Sequence, residues 1–215
     1  MLLRKFISIL SIAFVFLLEG VFETCSGKTA TSTNKTEVVT AAENKLKEIL
    51  PKFIELVSSS ANKTQMSDFF KKNLDAAAIS KRFCGENNSD LMDAINKLLV
   101  WRVNTKVITD AILPLKSYKL LNEMQSTDKG STISVKCKLK KGEDLVGATV
   151  IFTKSGDSIL GIKEIIFTEI PLIETFGVPM KRYFEKNKIK INALTPSDRA
   201  KKCILALEAF MNGEL

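Results

Sequence analysis

Glu164, Glu169 and Glu174 recur five residues apart, the spacing most suggestive of chemistry in this chain. Two carboxyl groups converging in a cleft can work as general acid and base. These three would form one cluster only if a single helix held them all, and the change from strand to helix pattern near Ile170 breaks that geometry. The chain contains no histidine. That absence removes Ser-His-Asp and Cys-His nucleophile pairs, histidine-ligated zinc and imidazole acid–base chemistry together. Cys84, Cys137 and Cys203 are far apart, with no C-x-x-C. Two of them could pair in an oxidising compartment and three cannot; the apolar neighbours of Cys84 and Cys137 favour buried thiols. There is no Walker loop, no G-x-G-x-x-G and no G-x-S-x-G. Gly142, Gly147, Gly156 and Gly161 fall in or beside strand patterns, where turns and bulges account for them. The expectation is therefore a non-catalytic protein without cofactor or metal.

The formal net charge is +8, with lysine spread along the whole chain. A nucleic-acid binder needs a basic stripe interleaved with aromatics. Here the aromatics are mostly Phe at apolar-periodic positions, so no nucleic-acid partner is expected. A basic surface suits anionic lipid head groups or an acidic partner. The apolar residues are abundant enough for a plain core or for a core that opens around something apolar.

The first residues read as an export signal. Arg4 and Lys5 precede an uncharged apolar run from Phe6 to Leu18. That run is shorter than the roughly 20 residues a spanning helix requires and suits a signal-peptide core. Residues 1–27 are thus expected to be a signal peptide, with lipidation at Cys25 or an uncleaved anchor as the alternatives. The polar stretch Gly27–Thr36 (GKTATSTNKT) reads as a leader, with 28–37 as its bounds after the signal peptide. The remainder, 38–215, is long enough for one domain with a real core.

Three sets of elements would position these residues. From Val39 to Val57 apolar residues recur at helical spacing, with Pro51 expected to kink or split the helix. Thr64 is a candidate cap for a helix through Phe69 and Phe70, the stretch Asp75–Ile79 continues or restarts that helix towards a stop at Gly85, and Ser89 is a candidate cap for a long helix running to Ile112. After Pro114 the period changes to two. Strands are expected over Lys116–Gln125, Ser131–Lys140, Val146–Thr153 and Ile159–Phe167, joined by short turns as an antiparallel meander. Helix returns over Ile170–Lys186, with Pro179 inside it, and again after the cap signal Thr195-Pro196-Ser197-Asp198. The fold class is α+β, with helices on one face of a four-stranded antiparallel sheet.

Four stretches carry a family resemblance. Leu50-Pro51 opens a helical segment. Phe69-Phe70 through Asp75-Ala-Ala-Ala-Ile79 to Phe83-Cys84-Gly85 gives a run of Phe, Asp and small apolar residues closed by Phe-x-Gly. Val150-Ile151-Phe152 leads into Ser155-Gly156-Asp157, and Lys163 to Ile173 follows as an apolar run with acids. Together they resemble the MlaC or toluene-tolerance family of periplasmic phospholipid carriers over roughly 39–210. The chain departs from it at Glu169 and Pro171, where Gly and Ser are usual, at Gly177, where Arg is usual, and at Phe152 and Leu160, where Trp is common. The resemblance implies an apolar pocket between sheet and helices that shields lipid tails in the periplasm of a Gram-negative bacterium. It implies phospholipid as ligand, and an inner-membrane ABC transporter complex and an outer-membrane lipoprotein complex as partners that maintain membrane lipid asymmetry. The lining it implies is Val135, Val150, Phe152, Ile165 and Phe167 from the sheet and Phe70, Phe83, Leu99, Trp101 and Phe176 from helices. Arg82, Arg102, Lys181 and Arg182 are candidates for the mouth. Two other readings stand beside it: an exported protein-interaction module with a closed core, and an enzyme with two acids in a cleft.

Overall fold

In the computed structural model, residues 37–59, 63–105, 113–167 and 170–214 are described. The signal-peptide reading and the leader reading over 28–36 lie outside them, while Glu37, read as the last leader residue, is the first of a helix. Four helices come first: α1 (Glu37–Ser58), α2 (Lys63–Asn73), α3 (Ala76–Cys84) and α4 (Ser89–Val103). Strands β1 (Lys119–Leu120), β2 (Gln125–Lys129), β3 (Thr132–Lys141), β4 (Asp144–Ser155), β5 (Ser158–Phe167) and β6 (Ile170–Pro171) follow. Helices α5 (Gly177–Lys186) and α6 (Pro196–Met211) close the chain. No described helix is long and apolar enough to cross a membrane.

The α+β expectation holds. Strands β2 to β5 form the antiparallel meander, and the two-residue strands β1 and β6 extend its edges in the order β1-β3-β4-β5-β6, with β2 beside β1 on β3. The alternation of β3 buries Ile133, Val135, Cys137 and Leu139 on one face, as its period-two pattern requires. Register shifts in β5 leave Lys163 and Leu160 unpaired, since Ile151 faces Glu164 while Phe152 faces Ile162, and Thr153 faces Gly161 while Lys154 faces Ile159. Each bulge adds twist and resets the side-chain parity. Ile162 and Ile165, an odd spacing apart, both reach the core for that reason.

Helix α1 lies across the inner face and closes an aromatic cluster. Phe53 sits 5.8 Å from Phe69, 6.0 Å from Phe70 and 6.0 Å from Phe167, ring centre to ring centre. Pro51 does not split α1. Its ring is exposed, and buried Leu46, Ile49 and Leu50 before it and Phe53, Ile54 and Val57 after it hold one continuous face on the core. That burial outweighs a lost backbone bond of about 3 kcal/mol.

Several boundaries differ from those read in the sequence. Helix α2 begins at Lys63, so Thr64 is inside it. Asn88, not Ser89, caps α4, its side chain accepting from the Leu91 N–H at 2.9 Å. Among the described residues α4 ends at Val103, where Asn104 and Thr105 side chains donate to the carbonyls of Val100 and Arg102 and take them out of the helix ladder; residues 106–112 lie outside the description. The single strand over 116–125 is instead a 3-10 turn (Leu113–Ser117), then β1 and β2. The helix read from Ile170 starts only at Gly177, after β6 and a 3-10 turn at Glu174–Phe176. Pro179 therefore falls in the first turn, where its missing N–H has no partner to lose. The cap at Thr195 is as read, its side chain accepting from the Asp198 N–H, and the helix restarts at Ala76 because Asp75 caps it by accepting from the Ala78 N–H.

Candidate functional site

Helix α3 is fastened at both ends, and this places its last turn. Asp75 accepts from the Ala78 N–H at 2.9 Å, takes the Thr153 hydroxyl on its other oxygen, and donates its own N–H to the Ile162 carbonyl at 2.9 Å. Gly161 allows this approach: a Cβ there would lie 2.6 Å from the Asp75 nitrogen. At the other end Gly85 takes a left-handed φ of +93° and donates to the Lys81 carbonyl. Arg82 and Phe83 are thereby held on the final turn.

Helix α5 supplies the facing wall. Two residues beyond its end at Lys186 stands Lys188, a non-glycine residue with φ +54°. The chain reverses there, the Ile189 N–H bonds the Phe184 carbonyl at 2.8 Å, and Ile189 and Ile191 swing back towards α3. Helix α6, packed against α3 and α5, adds Cys203.

The result is an open groove of about 620 Å³. Phe83, Met180, Phe184, Ile189, Ile191 and Cys203 make its apolar floor and sides. Arg82, Lys181, Lys188 and Lys190 stand around it with one carboxylate, Glu185, which pairs with Lys181 at 3.9 Å. This size lies within the roughly 300–1,000 Å³ usual for small-molecule sites. An apolar floor under a cationic rim fits an amphiphile with an apolar tail and an anionic head. Burial pushes the Cys203 thiol up to about 12, with the Cys84 sulfur adding to the rise and Arg199 opposing it, so Cys203 contributes apolar surface and not a nucleophile. Cys84, Cys137 and Cys203 are all buried free thiols.

A second, polar junction lies beside the groove, and Arg82 belongs to both. Its guanidinium pairs with Glu174 at 2.9 Å and stands 3.9 Å from Glu164. Glu164 is only 3 % exposed and accepts from the Ile165, Ile173 and Glu174 N–H groups at 2.7–3.0 Å. Burial pushes its carboxyl up; the three amides and Arg82 pull it down. Arg102 approaches from α4, bonding Thr175 and lying 5.8 Å over the Phe176 ring. Burial lowers the Arg102 guanidinium and Glu164 raises it. Glu164 and Glu174 thus converge without sharing a helix, because a strand end and the following turn meet on one arginine. Glu164 has its oxygens occupied by backbone donors, which makes it a brace for the turn into α5. A hollow of about 410 Å³ next to it is lined by Arg82, Thr132, Ile151, Lys163, Glu164, Ile166 and Glu174. Glu169 lies outside the described residues.

The residues named from the sequence are placed in three ways. Phe70, Leu99, Val135, Val150, Phe152, Ile165 and Phe176 are buried in one core, packed on other side chains. Phe167 is half-buried in the aromatic cluster against Phe53. Phe83 alone borders the groove. Trp101 stands apart on α4, 42 % exposed and 5.8 Å from Phe210. Of the mouth candidates Arg82 and Lys181 line the groove, Arg102 belongs to the polar junction, and Arg182 is exposed on α5. The sequence reading missed Met180, Phe184, Ile189 and Ile191 as one wall. The spacing of Met180 and Phe184 signalled a shared helix face, but nothing local announced the left-handed reversal at Lys188.

The chain matches no family model and no curated protein sequence. Four solved chains match it. One is a phospholipid-binding protein from Ralstonia solanacearum, determined in complex with a phospholipid, at 12% sequence identity and a TM-score of 0.49, over 75% of this chain and 98% of that one.

Proposed function

We propose that the protein is a non-catalytic carrier of phospholipid-class amphiphiles. In this reading it is exported by residues 1–27 to the periplasm, where it moves lipid between an outer-membrane lipoprotein complex and an inner-membrane ABC transporter. The observation that carries the proposal is the groove: six apolar side chains beneath a rim of four cations and one carboxylate. The sequence resemblance to the MlaC family supports the same class of ligand. Each methylene removed from water is worth about 0.8 kcal/mol, so the groove gains from that part of a tail which its walls cover. Against a membrane interior the gain is close to nil, and a carrier can load and unload without an energy source of its own.

The test is to purify the full chain without detergent, extract the denatured protein and look for phospholipid by mass spectrometry. Near-stoichiometric lipid is expected, together with transfer of labelled phospholipid between vesicles. Both should fall at least tenfold in an Ile189→Asp/Ile191→Asp variant that keeps its circular dichroism. A folded, lipid-free wild type that extracts no labelled lipid sinks the proposal. It would favour the second reading, an interaction module whose groove takes an apolar segment of a partner protein. The side chains packed shut between sheet and helices are the observation on that side.

A further inference from the structure

The solvent face of the sheet bears a row of lysines that the groove does not use. Alternation places Lys136, Lys138 and Lys140 on the face opposite buried Val135, Cys137 and Leu139, and all three are exposed. Residues directly opposite one another share a face. Register therefore adds Lys119, paired with Lys140, and Lys129, paired with outward Thr132. Their remaining neighbours in register are uncharged: Gln125, Gly147, Thr149 and Leu145. None of the five lysines makes an ion pair among the described residues. The one acid in register on this face, Glu164, is buried and tied to backbone amides and Arg82. At the hairpin tip Glu143 and Asp144 follow Lys141, and Asp144 accepts from Tyr118.

Lys119 and Lys140, like charges directly opposite across strands, destabilise the sheet, and the lysines spaced along one face of β3 add to the repulsion. Edge protection does not explain them, because β3 is an interior strand, with β4 along one side and β2 and then β1 along the other, only Cys137 and Lys138 lying between those two. We infer that this sheet face docks on an anionic phospholipid bilayer surface. The lysines of β3 recur about every 7 Å on this one face, and small or uncharged residues between them leave the ammonium groups free to reach outward. A plane of laterally mobile phosphates can meet every one of them without a fixed pattern of partners. Leu145, 55 % exposed and opposite Lys140, supplies an apolar contact at the head-group boundary. No aromatic stands between the lysines, which disfavours a single-stranded nucleic acid.

The test is sedimentation of the full chain with vesicles of phosphatidylcholine alone and of phosphatidylcholine mixed with phosphatidylglycerol. Lys136→Gln/Lys138→Gln/Lys140→Gln is compared with Lys47→Gln/Lys52→Gln/Lys72→Gln, which removes the same charge from exposed positions on α1 and α2. Each lysine near an anionic surface contributes about fivefold to partitioning. The sheet triple should lose about 100-fold on mixed vesicles at low salt, the helix triple only a few-fold, and added salt should erase the difference. Binding to neutral vesicles should be the same in all three proteins and sets the baseline for any contribution of the apolar run at Phe6–Leu18. Equal losses in the two triples would overturn the inference, since net charge alone would then act. Unchanged binding by the sheet triple would also overturn it and leave an acidic protein as the occupant. Lipid held in the groove should be the same in both triples. A lipid-free groove would therefore count against the carrier and leave this face untouched, and the reverse failure would leave the carrier standing.

Discussion

Two single residues hold more of this architecture than their size suggests. Glu164 satisfies three backbone donors at the turn between β5 and α5 and faces Arg82. Glu164→Gln keeps the shape but sets an amide NH2 against one of those donors, leaving a buried N–H without an acceptor. Urea unfolding should show a loss of about 1–3 kcal/mol, and a variant as stable as wild type would remove Glu164 from this role. Gly161 is needed for proximity and not for a special backbone angle, since an added Cβ would strike the backbone of Leu74 and Asp75. Gly161→Ala should cost about 1–3 kcal/mol. Amide exchange at Asp75 and Ala78 should quicken, because the Asp75 contacts to Thr153 and Ile162 are the ones displaced.

At the scale of elements, the groove depends on how α5 ends. Lys188 adopts the left-handed conformation that a side chain disfavours by about 1–2 kcal/mol, and Gly carries no such penalty. Lys188→Gly should therefore raise stability by up to about 1 kcal/mol in thermal or urea unfolding. It also removes one rim cation, so retention of anionic lipid should fall while the fold gains. A parallel change in both would contradict the division between backbone and rim drawn here. The lysine row of β3 makes a related prediction. Relieving its repulsion by the Lys136/Lys138/Lys140→Gln triple should stabilise the sheet by a few tenths of a kcal/mol at low salt, an increment that salt abolishes in the wild type by screening.

For the molecule as a whole, the absence of histidine removes the usual titration near neutrality, and the buried thiols become the informative groups. Burial raises Cys137 to about 11 and Cys203 to about 12. A thiol whose folded value lies above its unfolded value of about 8.5 stabilises the fold fully below that pH. Its contribution then shrinks as pH rises through the folded value. The unfolding midpoint should accordingly fall between about pH 9 and pH 11, more steeply in the wild type than in a Cys137→Ala/Cys203→Ala variant. Comparing slopes separates this from the cavity cost of the substitutions. Identical slopes would show that the thiols do not titrate in that window.

The α+β class, the meander, the Thr195 cap and the closing Gly85 were set by the sequence alone. Each is a local matter: a period of two or of 3.6, a side chain two or three residues from the amide it caps, a glycine where the chain must turn left-handed. The inward faces of α1 and β3 were legible for the same reason. What the tertiary structure decided is non-local. Pro51 stays within α1 because burial on both sides of it outweighs one missing hydrogen bond. Two bulges in β5 reset its alternation, which no pattern count within one strand could reveal. Glu164 and Glu174 meet only because a strand end folds onto Arg82 of a helix some eighty residues earlier. The groove likewise gathers its floor from α3, α5, the reversal at Lys188 and α6. An apolar residue in the sequence shows that it will leave water; whether it packs against its own chain or waits for a ligand is settled by what the rest of the fold leaves beside it.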